Sequence, residues 1–192
     1  MKKLLSIVLA SSFVIGIGTV YGFDVTRKQT SEPTIGATVI KMDKNRLYAH
    51  STEIVKGKVI GSETKTAFTG EVTDFEIEID EVIQGDEARK VVKVRTEGNG
   101  NNPVKSGLVS FTVGESVTLF LTDDKGNRPD RGDFDYFVVG QAQGKFKEYN
   151  GKLKNNKGAE FSKDTFKDEL KQIEKENKEK GIKKERGNYN DL

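Results

Sequence analysis

The chain contains no cysteine and no tryptophan, and only one histidine and three prolines in 192 residues. Without cysteine there is no disulfide, no thiolate nucleophile and no Cys-based metal site. Stability outside a cell must then come from packing alone. The single histidine, His50, argues against zinc, which takes three or four protein ligands drawn largely from His and Cys. Net charge is also scarce. The 32 basic residues less Lys2 and Lys3 leave 30, which equals the 30 acidic residues. A neutral body gives no electrostatic reason to expect nucleic-acid binding. Hydrophobic residues make up 34% and charged residues 32%, which suits one domain with a modest core.

Long apolar runs are absent except at the N-terminus. "MKKLLSIVLASSFVIGIGTVYG" has Lys2 and Lys3 ahead of an uncharged run from Leu4 to Val20. Val20 and Gly22 then place small residues before a cut at Phe23, the pattern of a secretory signal peptide. The alternative is an uncleaved membrane anchor, since Leu4 to Gly22 approaches the roughly 20 residues a spanning helix needs. The lysines would then stay in the cytoplasm. Either fate places the rest of the chain outside the cytoplasm, secreted or tethered to the membrane's outer face. No cysteine follows the run to take a lipid.

Residues 23–34 are polar and contain a proline, and they suit a spacer. "IGATVIKM" (35–42) suits a short strand, and "DKNRLYAHS" (43–51) one or two helical turns capped by Asp43. From Glu53 the pattern becomes β. In "EVTDFEIEIDEVIQGD", Phe75, Ile77 and Ile79 share one face and Glu76, Glu78 and Asp80 the other. "EIVKGKVIGS" and "KVVKVRT" alternate similarly, and "GESVTLFLT" points Val117, Leu119 and Leu121 inward. Asn150-Gly151, flanked by Tyr149 and Leu153, signals a two-residue hairpin. About five or six strands in this span predict a small antiparallel barrel, whose closure removes exposed sheet edges.

After residue 160 the period changes. Ser162 is placed to cap a helix, with Phe161 and Phe166 as a hydrophobic staple. Phe166, Leu170 and Ile173 form its apolar stripe, and Gly181 its stop. The second half, "EKENKEKGIKKER", lacks an apolar stripe and is expected to fray. The predicted layout is 1–22 signal peptide or anchor, 23–52 spacer and lead-in, 53–160 β-barrel domain, 161–181 helix and 182–192 tail.

"STEIVKGKV", "EVIQGD", "VGESVTLFL" and "YFVVGQAQGKFKEYNG", followed by the charged helix, resemble a family of exported bacterial and archaeal proteins of uncharacterised function. The resemblance spans residues 45–180. It implies an OB-like barrel and an extracytoplasmic site. Its motifs are turn glycines and strand apolars, so it implies no catalytic residue.

The stretch "LTDDKGNRPDRGDFDYFVVG" (121–140) concentrates the candidate chemistry. Asp123, Asp124, Asp130 and Asp133 are candidate calcium ligands, but the EF-hand spacing fails, because the sixth loop position from Asp123 is Arg128 rather than glycine. Lys125, Arg128 and Arg131 also stand among these acids. Arg131-Gly132-Asp133 matches an adhesion tripeptide, although Gly132 has a simpler use as a turn residue. The favoured reading of the stretch is a polar turn between strands.

Phosphate-loop spacings and GxSxG are absent. His50 with Ser51 or Ser62 and a carboxylate would make a triad only by three-dimensional geometry. The carboxylates Glu76, Glu78 and Asp80 read as a solvated strand face, relieved if Lys56, Lys58, Lys93 or Arg95 lies opposite. Phe134, Tyr136 and Phe137 share one strand, so alternation turns Tyr136 or Phe137 away from the core. Tyr136, Phe137 and Tyr149 then form a candidate binding surface, unless the helix stripe covers it.

The expected protein is mainly β: a five- to six-stranded antiparallel, OB-like barrel with a C-terminal α-helix. The expected function is an exported, non-catalytic binding module. Its partner would be an extracellular protein or carbohydrate, with no cofactor and no nucleic acid. The alternatives are an extracellular hydrolase built on carboxylates and His50, and an enzyme regulator acting through the loop at 97–107.

Overall fold

The computed structural model describes residues 40–99 and 108–183. The N-terminal apolar run, residues 23–39, most of the 97–107 loop and the end of the tail lie outside the described residues.

The longest elements are two 15-residue strands, β1 (Glu53–Ala67) and β2 (Gly70–Gln84), joined by Phe68-Thr69 into an antiparallel hairpin. Val55 and Val59 of β1, and Phe75 and Ile77 of β2, are fully buried, while Glu76, Glu78 and Asp80 are exposed. This is the period-2 pattern of a strand with one wet face. The expected charge relief is present: Glu76 lies opposite Lys93, and Glu78 opposite Lys58. The hairpin register shifts at three points, one of them beside Gly57. A Cβ on Gly57 would fall on the Glu78 carbonyl oxygen.

Strands β3 (Val91–Glu97), β4 (Ser116–Thr122) and β5 (Tyr136–Val138) complete the arrangement. Pairing runs β1–β2–β3–β5–β4, and β4 pairs back onto β1, so the five strands close on themselves. The β3–β5 pair is parallel, which corrects the all-antiparallel expectation. β5 lies antiparallel to β4, and the chain passes through β4 between β3 and β5, which supplies the crossover that a parallel pair needs. Three further strands, β6 (Lys145–Tyr149), β7 (Lys152–Lys154) and β8 (Glu160–Ser162), extend the order beyond β4 to an eight-stranded mixed sheet. The strand count therefore exceeds the five or six read from the sequence. The β6–β7 turn is the Asn150-Gly151 hairpin, with both residues at positive φ, 49° and 72°.

Two cores result. One lies inside the closed strands and contains Val55, Phe75, Ile77, Val94, Leu119, Leu121 and Tyr136. The other contains Ile54 and Phe120, from the opposite faces of β1 and β4, with Leu47, Phe146, Phe161, Phe166, Leu170 and Ile173. Strand β4 is thus buried on both faces, as its unbroken run "VTLFLT" allows. The second core is covered by two helices, α1 (Lys44–Ala49) and α2 (Phe166–Glu179). Asp43 caps α1 as expected, its Oδ1 accepting from Arg46 N at 2.8 Å.

Three local expectations are corrected. Helix α2 starts after Thr165, because Ser162 belongs to β8, although Phe161 and Phe166 still meet at 4.9 Å between ring centroids. The second half of α2 holds rather than frays: buried Asn177 accepts from Asn45 Nδ2 at 2.9 Å and returns a bond to the Asn45 carbonyl at 3.1 Å. Residues 40–42 form no strand and are pinned instead by Gln143, which donates to the Ile40 carbonyl and accepts from Met42 N. Among the described residues no helix is long and apolar enough to cross a membrane.

Candidate ligand cleft

Residues 123–135 join β4 to β5 and contain neither strand nor helix. Asp123 N donates to Thr52 Oγ1, which anchors the segment's start, and Asp135 Oδ2 accepts from Lys93 N at 2.7 Å, which anchors its end. Between these points the segment divides its charges between two places.

The first place is the outer face of β2 and β3. Arg95 is fully buried and grips Asp74, its cross-strand neighbour, through Nε to Oδ1 at 2.6 Å and Nη2 to Oδ2 at 2.8 Å. Its Nη1 donates to Asp130 at 2.7 Å, and its guanidinium lies 4.2 Å from the Phe134 ring centroid. Arg128 bonds Asp130 and Glu97 and reaches Thr69 at the β1–β2 tip. Burial pushes the Asp74 carboxyl up, but the hydrogen bonds of Arg95 and Lys65 outweigh it and hold Asp74 below the usual carboxylate range. Arg128 holds Asp130 down in the same way, against a smaller effect of burial. The network is a closed structural clamp, and it fills this face with the protein's own side chains.

The second place is a cleft of about 440 Å³ lined by Arg89, Asp123, Asp124, Lys125, Arg131 and Asp135, with Tyr136 at its floor. Lys125 Nζ donates to the carbonyls of Arg131 and Phe134, and burial lowers its pKa. Arg89 sits 3.3 Å from Asp135 Oδ1 and 5.2 Å from the Tyr136 ring centroid. The Tyr136 hydroxyl donates to Glu53 Oε1. Burial, reinforced by Glu53, drives the phenol far above its ordinary range, so it remains a donor.

The predicted site residues separate accordingly. Asp123 and Asp124 line the cleft, Asp130 is held by two arginines and Asp133 is exposed on the turn. Among the described residues no three His, Asp or Glu side chains are placed to hold a metal ion. Tyr136 and Phe137 are 4% and 1% exposed, so neither presents the expected exposed aromatic face, although Tyr136 lines the cleft. Alternation holds here, but the chain covers both faces. Tyr136 enters the inner core, while Phe137 packs against Phe134 at 4.6 Å and lies beneath Arg128. The helix stripe covers Phe146 and Phe161 instead. Tyr149 is 64% exposed, beside the β6–β7 turn. His50 ends α1, and the Ser51 hydroxyl donates to the Leu47 carbonyl, so no hydroxyl nucleophile is poised there. Ser62 lies on the β1–β2 hairpin opposite Phe75.

Sequence reasoning missed Arg89, Arg95 and Glu53. Arg95 occupies the outward position of an alternating strand and resembles a solvated cation until the β4–β5 segment folds over it. The one available signal was the excess of arginine and aspartate in that segment.

No protein-family model matches the chain, and no curated protein matches it.

Proposed function

We propose that the chain is an exported, non-catalytic binding module that takes its ligand in the cleft between Arg89 and the β4–β5 segment. The observation that carries this reading is the cleft itself. Its volume lies within the range of small-ligand sites, and charged donors and acceptors converge there from separate parts of the chain. The closed pairing β1–β2–β3–β5–β4–β1, with β3 and β5 parallel, supports an OB-like barrel as the scaffold. The N-terminal apolar run with its two lysines supports export, and the resemblance to exported bacterial and archaeal proteins agrees with it. Binding without chemistry is favoured because two polar groups of the cleft that could move a proton are already engaged. Lys125 is tied to carbonyls, and the Tyr136 hydroxyl is tied to Glu53.

The test is thermal unfolding of the full chain against a library of cell-surface compounds: short peptides, sugars and phosphorylated species. A ligand that binds only the native state raises the midpoint. The reading requires at least one compound that does so for the native chain and not for Arg89→Ala. A library that moves neither protein sinks it.

A further inference from the structure

Glu53 opens β1 and is 5% exposed. One oxygen, Oε1, accepts the Tyr136 hydroxyl hydrogen and stands 3.9 Å from Arg89 Nε. The other, Oε2, is buried and has no hydrogen-bond partner among the described residues. The position is shaped for this side chain: a Cβ on Gly85 would come within 2.5 Å of Glu53 Cγ. A buried acceptor without a donor is costly, and native proteins seldom leave one. Glu53 does not itself line the cleft, but through Oε1 it contacts Tyr136 and Arg89, which both do.

Arg89 is shared among three carboxylates. It stands 3.9 Å from Glu53, 3.9 Å from Asp86 and 3.3 Å from Asp135, all longer than a tight charged hydrogen bond. Access to Glu53 from the cleft would require the Arg89 guanidinium to turn toward the bound molecule. Arg131, on the rim, makes no ion pair among the described residues. The lining charges balance, with Arg89, Lys125 and Arg131 against Asp123, Asp124 and Asp135. A charged ligand would leave one sign without a counterpart. A hydroxyl both donates and accepts, so a polyol can satisfy both.

We infer that the cleft takes a neutral polyhydroxy ligand, the end of an oligosaccharide. Its hydroxyls accept from Arg89 and Arg131 and donate to Asp123, Asp135 and the unpartnered Oε2 of Glu53. This rests on the binding-module reading above and specifies its ligand class.

The experiment records backbone amide NMR shifts of the full chain titrated with maltose, cellobiose, lactose and di-N-acetylchitobiose. Parallel titrations use triglycine, inorganic phosphate and glucuronic acid. At least one neutral disaccharide is expected to shift the amides of Arg89, Lys125, Arg131 and Asp135 saturably. Glu53→Gln keeps an oxygen for Tyr136 but replaces the second acceptor with an amide donor, and should weaken that sugar about tenfold, the loss of one good hydrogen bond. Should Glu53→Gln not fold, Arg131→Ala on the exposed rim removes a donor instead, and an unchanged sugar affinity in that variant would overturn the inference. A charged probe that occupies the cleft while the neutral sugars do not overturns this inference and leaves the binding module standing. Sugar shifts confined to other amides also overturn it. Silence of the cleft amides toward every probe overturns both readings.

Discussion

Arg95 and Asp74 face each other across β3 and β2, doubly hydrogen-bonded, with their side chains 0% and 1% exposed. Asp130 arrives from the β4–β5 segment to take the third arm of the guanidinium. The charge pair therefore does more than join two strands. It fastens the segment that forms one wall of the cleft.

Removing one partner leaves a buried charge alone. Asp74→Asn or Arg95→Met should each destabilise the fold by about 3–5 kcal/mol, measured by urea unfolding. The double change Asp74→Leu with Arg95→Met should recover most of that loss. A double variant as unstable as the sum of the singles would show that the pair's two halves act independently.

The same carboxylates predict acid lability. Asp74 and Asp130, together with Glu115, which is paired with Lys145 and Lys147, titrate below their ordinary values when folded. A depressed acid contributes stability that is present above its unfolded pKa and is lost as pH falls through the folded one. The urea midpoint should therefore hold from neutrality down to about pH 4.5 and then drop steeply, since unfolded carboxyls titrate near there. In Asp74→Asn the drop should be shallower. An unchanged slope would remove Asp74 from the account.

Gly57 is required by close approach rather than by φ. Gly57→Ala must push β1 away from the Glu78 carbonyl, and overpacking of this kind costs about 1–3 kcal/mol. Gly151→Ala tests a different cause. Its φ of 72° leaves open space for a Cβ but strains any L residue, for about 1 kcal/mol. Equal thermal shifts for Gly70→Ala, also at a turn, and Gly57→Ala would contradict the steric explanation.

The docking of α2 rests on Phe166, Leu170 and Ile173, all nearly buried. Leu170→Ala should cost about 2–5 kcal/mol. Asn177→Ala should expose the second half of the helix to faster amide hydrogen exchange while leaving the first half protected, because Asn177 joins that half to Asn45. Uniform exchange along α2 in the variant would count against this.

Millimolar calcium should leave the unfolding midpoint unchanged, with or without EDTA. Asp130 is already held by two arginines, which leaves the expected set of Asp123, Asp124, Asp130 and Asp133 incomplete. A calcium-dependent rise would reinstate a metal-ordered segment.

Strand β2, the Asp43 cap, the Asn150-Gly151 turn and the apolar stripe of α2 were all legible in the sequence, because each rests on local chemistry. Period, capping and backbone conformation are fixed within a few residues. The parallel β3–β5 pair, the two-sided burial of β4, and the burial of Tyr136 and Phe137 were not legible. Each depends on what another part of the chain places on the second face of a strand. The cleft belongs to the same class. Its aspartates were visible in one short stretch, but Arg89 reaches them from the β2–β3 turn and Glu53 from the start of β1. By itself the sequence determined most of the strands, the two helices and which side chains could carry charge. Only tertiary structure decided which charges would be sealed against each other and which would line an open cleft, because pairing and desolvation arise between residues far apart in the chain.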